Sequence, residues 1–188
     1  GIQTLRKSIP ATAQGMNVEL PAATINDYPR FAYRGMMLDV SRHFFPVDSV
    51  KTYLDILALH NQNTFHWHLS DDQGWRIEIK KYPELTQIGS KRKETVIGHN
   101  SGTYDGKEYG GFYTQDQIRD VINYAAERHI TIIPEIDMPG HQLAALATYP
   151  ELGCTGGPYD VWGQWGVADD VICAGNEKSM QFLEDVLS

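Results

Sequence analysis

Thr64-Phe65-His66-Trp67-His68-Leu69-Ser70-Asp71-Asp72 is a run of β-formers that ends abruptly in polar groups, and the rest of the chain can be read outward from it. Thr64 to Leu69 reads as a strand, and the two-residue period places His66 and His68 on one face and Trp67 on the other. Upstream, Met36 to Val40 is a second short apolar run of strand type. It is followed over Val47 to His60 by Val50, Leu54, Leu57 and Ala58 at helical spacing. Downstream, Thr114 to Arg128 reads as a helix with Ile118, Val121, Ile122 and Ala125 on one face. Ile130 to Ile136 is an Ile-rich strand, and Glu177 to Leu187 is a helix carrying Met180, Leu183 and Val186. Strands that alternate with helices and are apolar nearly throughout imply an α/β fold, with a parallel sheet covered by helices.

Three such units cannot close an eight-unit (β/α)8 barrel, which takes about 250 residues. Residues 29–188 yield only three because the connections at 70–113 and 137–176 are long, and long connections inside compact domains are usually functional. Both follow a strand and precede a helix, so in a barrel they would lie at the C-terminal face, where active sites are built. Residues 1–28 read differently. They give a helix tail near Thr4 to Lys7, a turn at Gly15, and extended chain over Val18 to Ile25 between prolines.

The 188 residues carry a net charge of -8, with 41% hydrophobic and 21% charged residues, as in an ordinary globular protein. Interspersed acids and bases, with no run of Lys or Arg, leave no footprint for a phosphate backbone, so nucleic acid is not expected as a partner. Apolar stretches such as Ile130 to Pro134 are far short of the ~20 residues of a membrane span. The chain opens at Gly1 without an initiating Met or an apolar leader, which is compatible with a secretory signal that was removed or lay further upstream. Cys154 and Cys173 lack zinc-site spacing. They read either as buried free thiols or, in an exported protein, as a disulfide.

Each strand runs out into polar groups: Asp39, Ser41, Arg42 and His43 after the first, Ser70, Asp71 and Asp72 after the second, Asp137 and His141 after the third. Parallel strands would gather these ends on one face, joining a guanidinium, several carboxylates and an imidazole. Arginine offers a rigid fork of donors for vicinal hydroxyls and carboxylates accept from sugar OH groups, so the cluster suits a carbohydrate. Blander roles compete. Arg42 could simply pair with a neighbouring acid, one of Asp71 and Asp72 is expected to be structural, and Asp48 reads as a helix cap. His66 and His68 read as satisfied core histidines, with metal ligation not expected. Trp162 and Trp165 read as loop packing in preference to an outer sugar subsite.

Three segments in order, Arg34-Gly-Met-Met-Leu-Asp-Val-Ser-Arg42, Phe65-His-Trp-His-Leu-Ser-Asp-Asp-Gln-Gly-Trp75 and Pro134-Glu-Ile-Asp-Met-Pro-Gly-His141, resemble successive motifs of the family-20 β-N-acetylhexosaminidases. The resemblance implies that residues 29–188 are the first part of a TIM barrel, about three βα units, truncated before strand four. Residues 1–28 would be the tail of a small preceding α+β domain and linker. It implies an amino-sugar glycoside as partner, no cofactor and no metal, with Arg42 binding substrate and Asp71, Asp137 and His141 forming a relay behind the acid. The family's Gly-Gly-Asp-Glu motif has no counterpart, since the chain contains no Asp-Glu dipeptide. The implied reaction is substrate-assisted removal of terminal β-linked N-acetylglucosamine or N-acetylgalactosamine by a full-length parent, the segment alone being inactive. The alternative is a non-catalytic amino-sugar-binding module. With the two-cysteine loop, the resemblance further implies an extracellular, periplasmic or, in a eukaryote, lysosomal location and a Cys154–Cys173 disulfide.

Overall fold

The computed structural model describes residues 2–13, 15 and 17–188; Gly1, Gln14 and Met16 of the expected lead-in lie outside them. α1 (Ile2–Lys7) buries none of its side chains, and residues 17–34 form no helix or strand. The sheet begins at β1 (Gly35–Asp39), followed by α2 (Val47–Leu59) and β2 (Thr64–Asp71). Next come the short elements β3 (Gly74–Trp75), α3 (Glu84–Gln87), β4 (Lys91–Arg92) and β5 (Tyr109–Gly110). α4 (Gln115–Ala126), β6 (Thr131–Ile136), α5 (Leu143–Leu146), a 3-10 turn at Pro150–Leu152 and α6 (Glu177–Leu187) complete the order. Among the described residues no helix is long and apolar enough to cross a membrane.

β2 is the centre of the sheet, paired in parallel with β1 on one side and β6 on the other. It is buried along its whole length, with only His66 partly open. Phe65, Trp67 and Leu69 face α2 and α4 and form a core with Val50, Leu54, Leu57, Val121 and Ala125. Each such side chain, taken fully out of water, contributes about 1.5–3 kcal/mol. This is why helical spacing at Val50/Leu54/Leu57 and strand spacing at Phe65/Trp67/Leu69 specify one another. Among the described residues β1 and β6 pair only with β2, and Met36, Met37 and Ile133 on these strands stay exposed.

The two long connections are not structureless. β3 turns back on β2 through Ser70–Trp75 and Asp71–Gly74, and β4 pairs antiparallel with β5. The second connection folds α5, Leu152 and Ile172 onto Trp75, Leu85 and α6 as a core of its own. There α6 buries Ser179, Phe182 and Val186, one residue out of phase with the expected Met180 and Leu183 because Trp75 and Tyr82 pack around Phe182. α4 starts in a full capping box between Thr114 and Gln117, which satisfies two orphan amide donors. Asp48 is a correction: Pro46 takes the cap position of α2 without a side-chain bond. Asp48 sits inside the first turn, where its charge still favours the positive end of the helix.

Candidate active site

Strand register builds the site. Asp39 of β1 lies opposite His68 of β2, and His68 lies opposite Glu135 of β6. Three neighbouring strands thus send one side chain each to the same face of the sheet. His68 is 4% exposed. Its Nδ1 is 2.7 Å from Glu135 Oε2 and its Nε2 2.8 Å from Asp71 Oδ2. A neutral imidazole donates from one nitrogen only, so carboxylates on both sides call for the imidazolium. Burial by itself lowers the His68 pKa, but hydrogen bonds to Asp71 and Glu135 outweigh it and push the value up to about 9. For Glu135 burial works upward, yet His68 and His66, the latter 2.5 Å away, hold it below the usual carboxylate range.

Asp71 is the hub. Its side chain is fully buried, with Oδ2 meeting Arg42 Nη1 at 2.6 Å besides His68. Oδ1 accepts the Asp72 amide at 2.7 Å and lies 3.1 Å from His141 Nδ1. The same Nδ1 lies 3.1 Å from Asp72 Oδ2, so both of the paired aspartates reach His141. Asp72 Oδ1 in addition takes the Leu143 amide at 3.1 Å, and the Asp72 carbonyl takes the Trp162 amide, tying the two long connections together. Burial raises the Asp72 pKa, the Leu143 amide opposes it, and the neighbouring charge of Asp71 adds to the rise. His141 holds φ at 55°, a left-handed backbone that non-glycine residues adopt mainly where surrounding structure imposes it. The carboxylates meet His141 at Nδ1, and its Nε2 has no hydrogen-bond partner among the described residues.

Arg42 is anchored through Nη1 alone, to Asp71 and to Asp39 at 2.9 Å. Among the described residues Nε and Nη2 have no hydrogen-bond partner, and the side chain is 24% exposed. Its loop is held from below by Arg76, which is wholly buried. Arg76 spends its donors on the carbonyls of Val40, Ser41, Gln73, Ser90 and Gly111 at 2.6–3.4 Å. Burial, and then the charge of Arg92, pull its pKa down to about 10, so it remains a cation at neutral pH. Arg92 donates to the Arg42 carbonyl and lies over the Tyr109 ring at 4.5 Å.

A guanidinium held by one arm, an imidazole backed by two buried carboxylates, and three strand ends converging on them offer donors suited to hydroxyl groups and a nitrogen able to exchange a proton. Residues 31–188 match the family described as Glycosyl hydrolase family 20, catalytic domain. The chain belongs to this family. It is 48% identical to a beta-hexosaminidase of Porphyromonas gingivalis over 192 residues, which span all of this chain and 24% of that protein. It is 54% identical to one of Vibrio furnissii over 137 residues, 73% of this chain and 22% of that one. A solved family-20 β-N-acetylhexosaminidase of Streptomyces coelicolor superposes with a TM-score of 0.85 at 41% identity, covering 99% of this chain and 36% of its own. This family-20 chain thus spans about a quarter to a third of the length of such relatives.

Of the residues the resemblance assigns, the family-20 chain brings Arg42, Asp71 and His141 together. Asp137 stands apart: its backbone carbonyl accepts from Gln142, and its carboxylate has no partner among the described residues. His68 and Glu135, which the sequence assigned to core packing or not at all, are in the middle of the cluster. Ser41 is structural, its hydroxyl 2.5 Å from the Gly74 carbonyl, and His43 leans on Tyr109. Trp162 packs in the second core, whereas Trp165 is 49% exposed and lines a small recess with Arg42, Gln73 and Arg92. Asp71, Asp72 and His141 present ligand atoms within 4.8 Å of one another. The Arg42 guanidinium, 2.6 Å from Asp71 Oδ2, already sets a positive charge beside this group, which disfavours a further cation there. Cys154 and Cys173 are unbonded thiols, next to one another across the Gly153–Ile172 bridge, and the hydrogen bond with Cys173 raises the Cys154 thiol.

Proposed function

We propose that this chain is the first part of the (β/α)8 barrel, about three βα units, of a β-N-acetylhexosaminidase. That enzyme would release terminal β-linked N-acetylglucosamine or N-acetylgalactosamine by substrate-assisted, retaining catalysis. The observation that carries the reading is Arg42: Nη1 is tied down by Asp39 and Asp71 while Nε and Nη2 remain for two neighbouring sugar hydroxyls. A 44% identical beta-hexosaminidase of Streptomyces plicatus has been solved in complex with the product GlcNAc, which supports an amino sugar as the ligand class. In this scheme the sugar's own acetamido oxygen attacks the anomeric carbon, among the exceptions to the two-carboxylate mechanism. The Asp-Glu pair that orients the amide and protonates the leaving oxygen would come from outside these residues, with Asp71 and His141 as the relay behind it. Asp137 is proposed to join them on substrate binding. Residues 1–28 are read as the tail of a preceding domain, and Cys154 and Cys173 as a disulfide formed on export.

The test is an assay of the full-length protein on aryl glycosides. We expect turnover of the N-acetyl-β-glucosaminide or galactosaminide and none of the β-glucoside, which lacks the internal nucleophile. The isolated 188-residue chain should release no aglycone above background. Equal cleavage of the plain β-glucoside would reject substrate assistance, and saturable amino-sugar binding without turnover by the full-length protein would favour a binding module.

A further inference from the structure

We propose that His68 is a positioning residue of this site: bridging Glu135 and Asp71 with its two ring nitrogens, it fixes the Asp71 carboxylate between Arg42 and His141. The inference rests on the reading of the site as a family-20 hexosaminidase centre, and it deepens that reading by adding a support that does not touch substrate. Each Asp71 oxygen carries two contacts, and those on Oδ2 are Arg42 Nη1 at 2.6 Å and His68 Nε2 at 2.8 Å. Arg42 Nη1 and His68 Nε2 are themselves 3.3 Å apart. With the ring protonated both are donors, so their proximity is a meeting of two cations over one oxygen, not a bond between them. Without His68, Oδ2 would have only Arg42 to orient it, and the carboxylate could turn away from His141. Glu135 closes the bridge from β6 and is itself braced by His66 Nε2 at 2.5 Å. The result is an alternating row, His66, Glu135, His68, Asp71, His141, that crosses the inner face of the sheet.

The charged groups that face His68 are Asp39 and Arg42 from β1 and its loop, Asp71 at the end of β2, and Glu135 from β6. Three are acids, so the ring keeps its proton to about pH 9. The sign follows: below that value both arms donate, and as pH rises through about 9 one arm is lost and either Asp71 or Glu135 faces a lone pair. Activity supported by the bridge therefore falls on the alkaline side only.

The experiment uses the full-length protein with two readouts. In the first, NMR of ring-15N-labelled histidine should show His68 protonated at both nitrogens at pH 7.5. In Asp71→Asn its pKa should fall toward the ordinary value of about 6.5. A neutral His68 ring at pH 7.5 overturns the proposal whatever the enzyme's substrate. In the second, His68→Gln, which keeps a donor but cannot serve both acids, should lower kcat/KM on an aryl N-acetyl-β-glucosaminide on the order of 100-fold, as a misplacement of about 1 Å can. It should also remove the alkaline limb near pH 9. A merely structural His68 would give a lower Tm, near-normal kcat/KM per folded molecule and an unchanged limb, and that result would also sink the idea. If the parent enzyme hydrolyses no amino-sugar glycoside, the functional reading fails while the NMR arm still decides the bridge.

Discussion

Arg42 spends one nitrogen on protein and keeps two in reserve, and that division separates its two roles. Lysine at position 42 keeps the charge that pairs with Asp39 and Asp71 but has no planar fork for two adjacent hydroxyls. In the full-length enzyme Arg42→Lys is expected to cost about 2–4 kcal/mol of transition-state binding. That corresponds to a fall of roughly 30- to 1,000-fold in kcat/KM, with the melting temperature little changed. A variant that melts early and turns over normally would return Arg42 to a purely structural role. Strand order brought Arg42, Asp71 and His141 into a wider set of polar residues expected on one face, and the family resemblance singled them out, with Asp137, from that set. His68 and Glu135 could not be singled out in either way. Their pairing depends on the β2–β6 register, and residues more than sixty positions apart leave no local period to read. The one available signal was that His66 and His68 share a face; what lay across from them was invisible.

The long elements were legible for the same reason that they are stable. α2, α4 and the three parallel strands lie within two residues of their expected bounds, since a stripe repeated over a long helix fits one period only and the short apolar strands are bounded by polar and turn residues. The two-residue strands β3, β4 and β5 and the single-turn helices α3 and α5 were not seen, because an element that short has no period. β3, β4 and β5 each adjoin the Arg76 cage, through the carbonyls of Gln73, Ser90 and Gly111. Gly74 sits against it, and a Cβ there would overlap the guanidinium carbon. A long side chain normally swings aside, but this one is clamped by five carbonyls and wholly buried. Gly74→Ala is therefore expected to destabilise the full-length protein by about 3 kcal/mol, the upper end of what overpacking costs. Gly175→Ala, with open space around it, should stay within about 0.5 kcal/mol. Denaturant midpoints of the two variants provide the check, and equal midpoints would mean that Arg76 yields.

On the scale of the whole chain, a central parallel sheet carries two long connections folded over the C-terminal ends of its strands. The Gly153–Ile172 bridge places the two thiols beside one another, within reach of a hydrogen bond. When the full-length protein is produced in an oxidising compartment and left unreduced, Cys154 and Cys173 should resist alkylation, and the crosslink should contribute ~3 kcal/mol in the chain-entropy account. Two alkylated thiols by intact mass would refute the pairing. The Arg76 cage bears on motion as well as on stability. Its carbonyls come from residues 40, 41, 73, 90 and 111, in segments that are separate in sequence but share one cation. Were any one of them to peel away alone, it would leave a buried charge short of a partner, which is costlier than the loss of an ordinary loop contact. The amides of these segments should therefore exchange with deuterium through a single shared opening, and the floor beneath Arg42 would breathe as one unit or not at all.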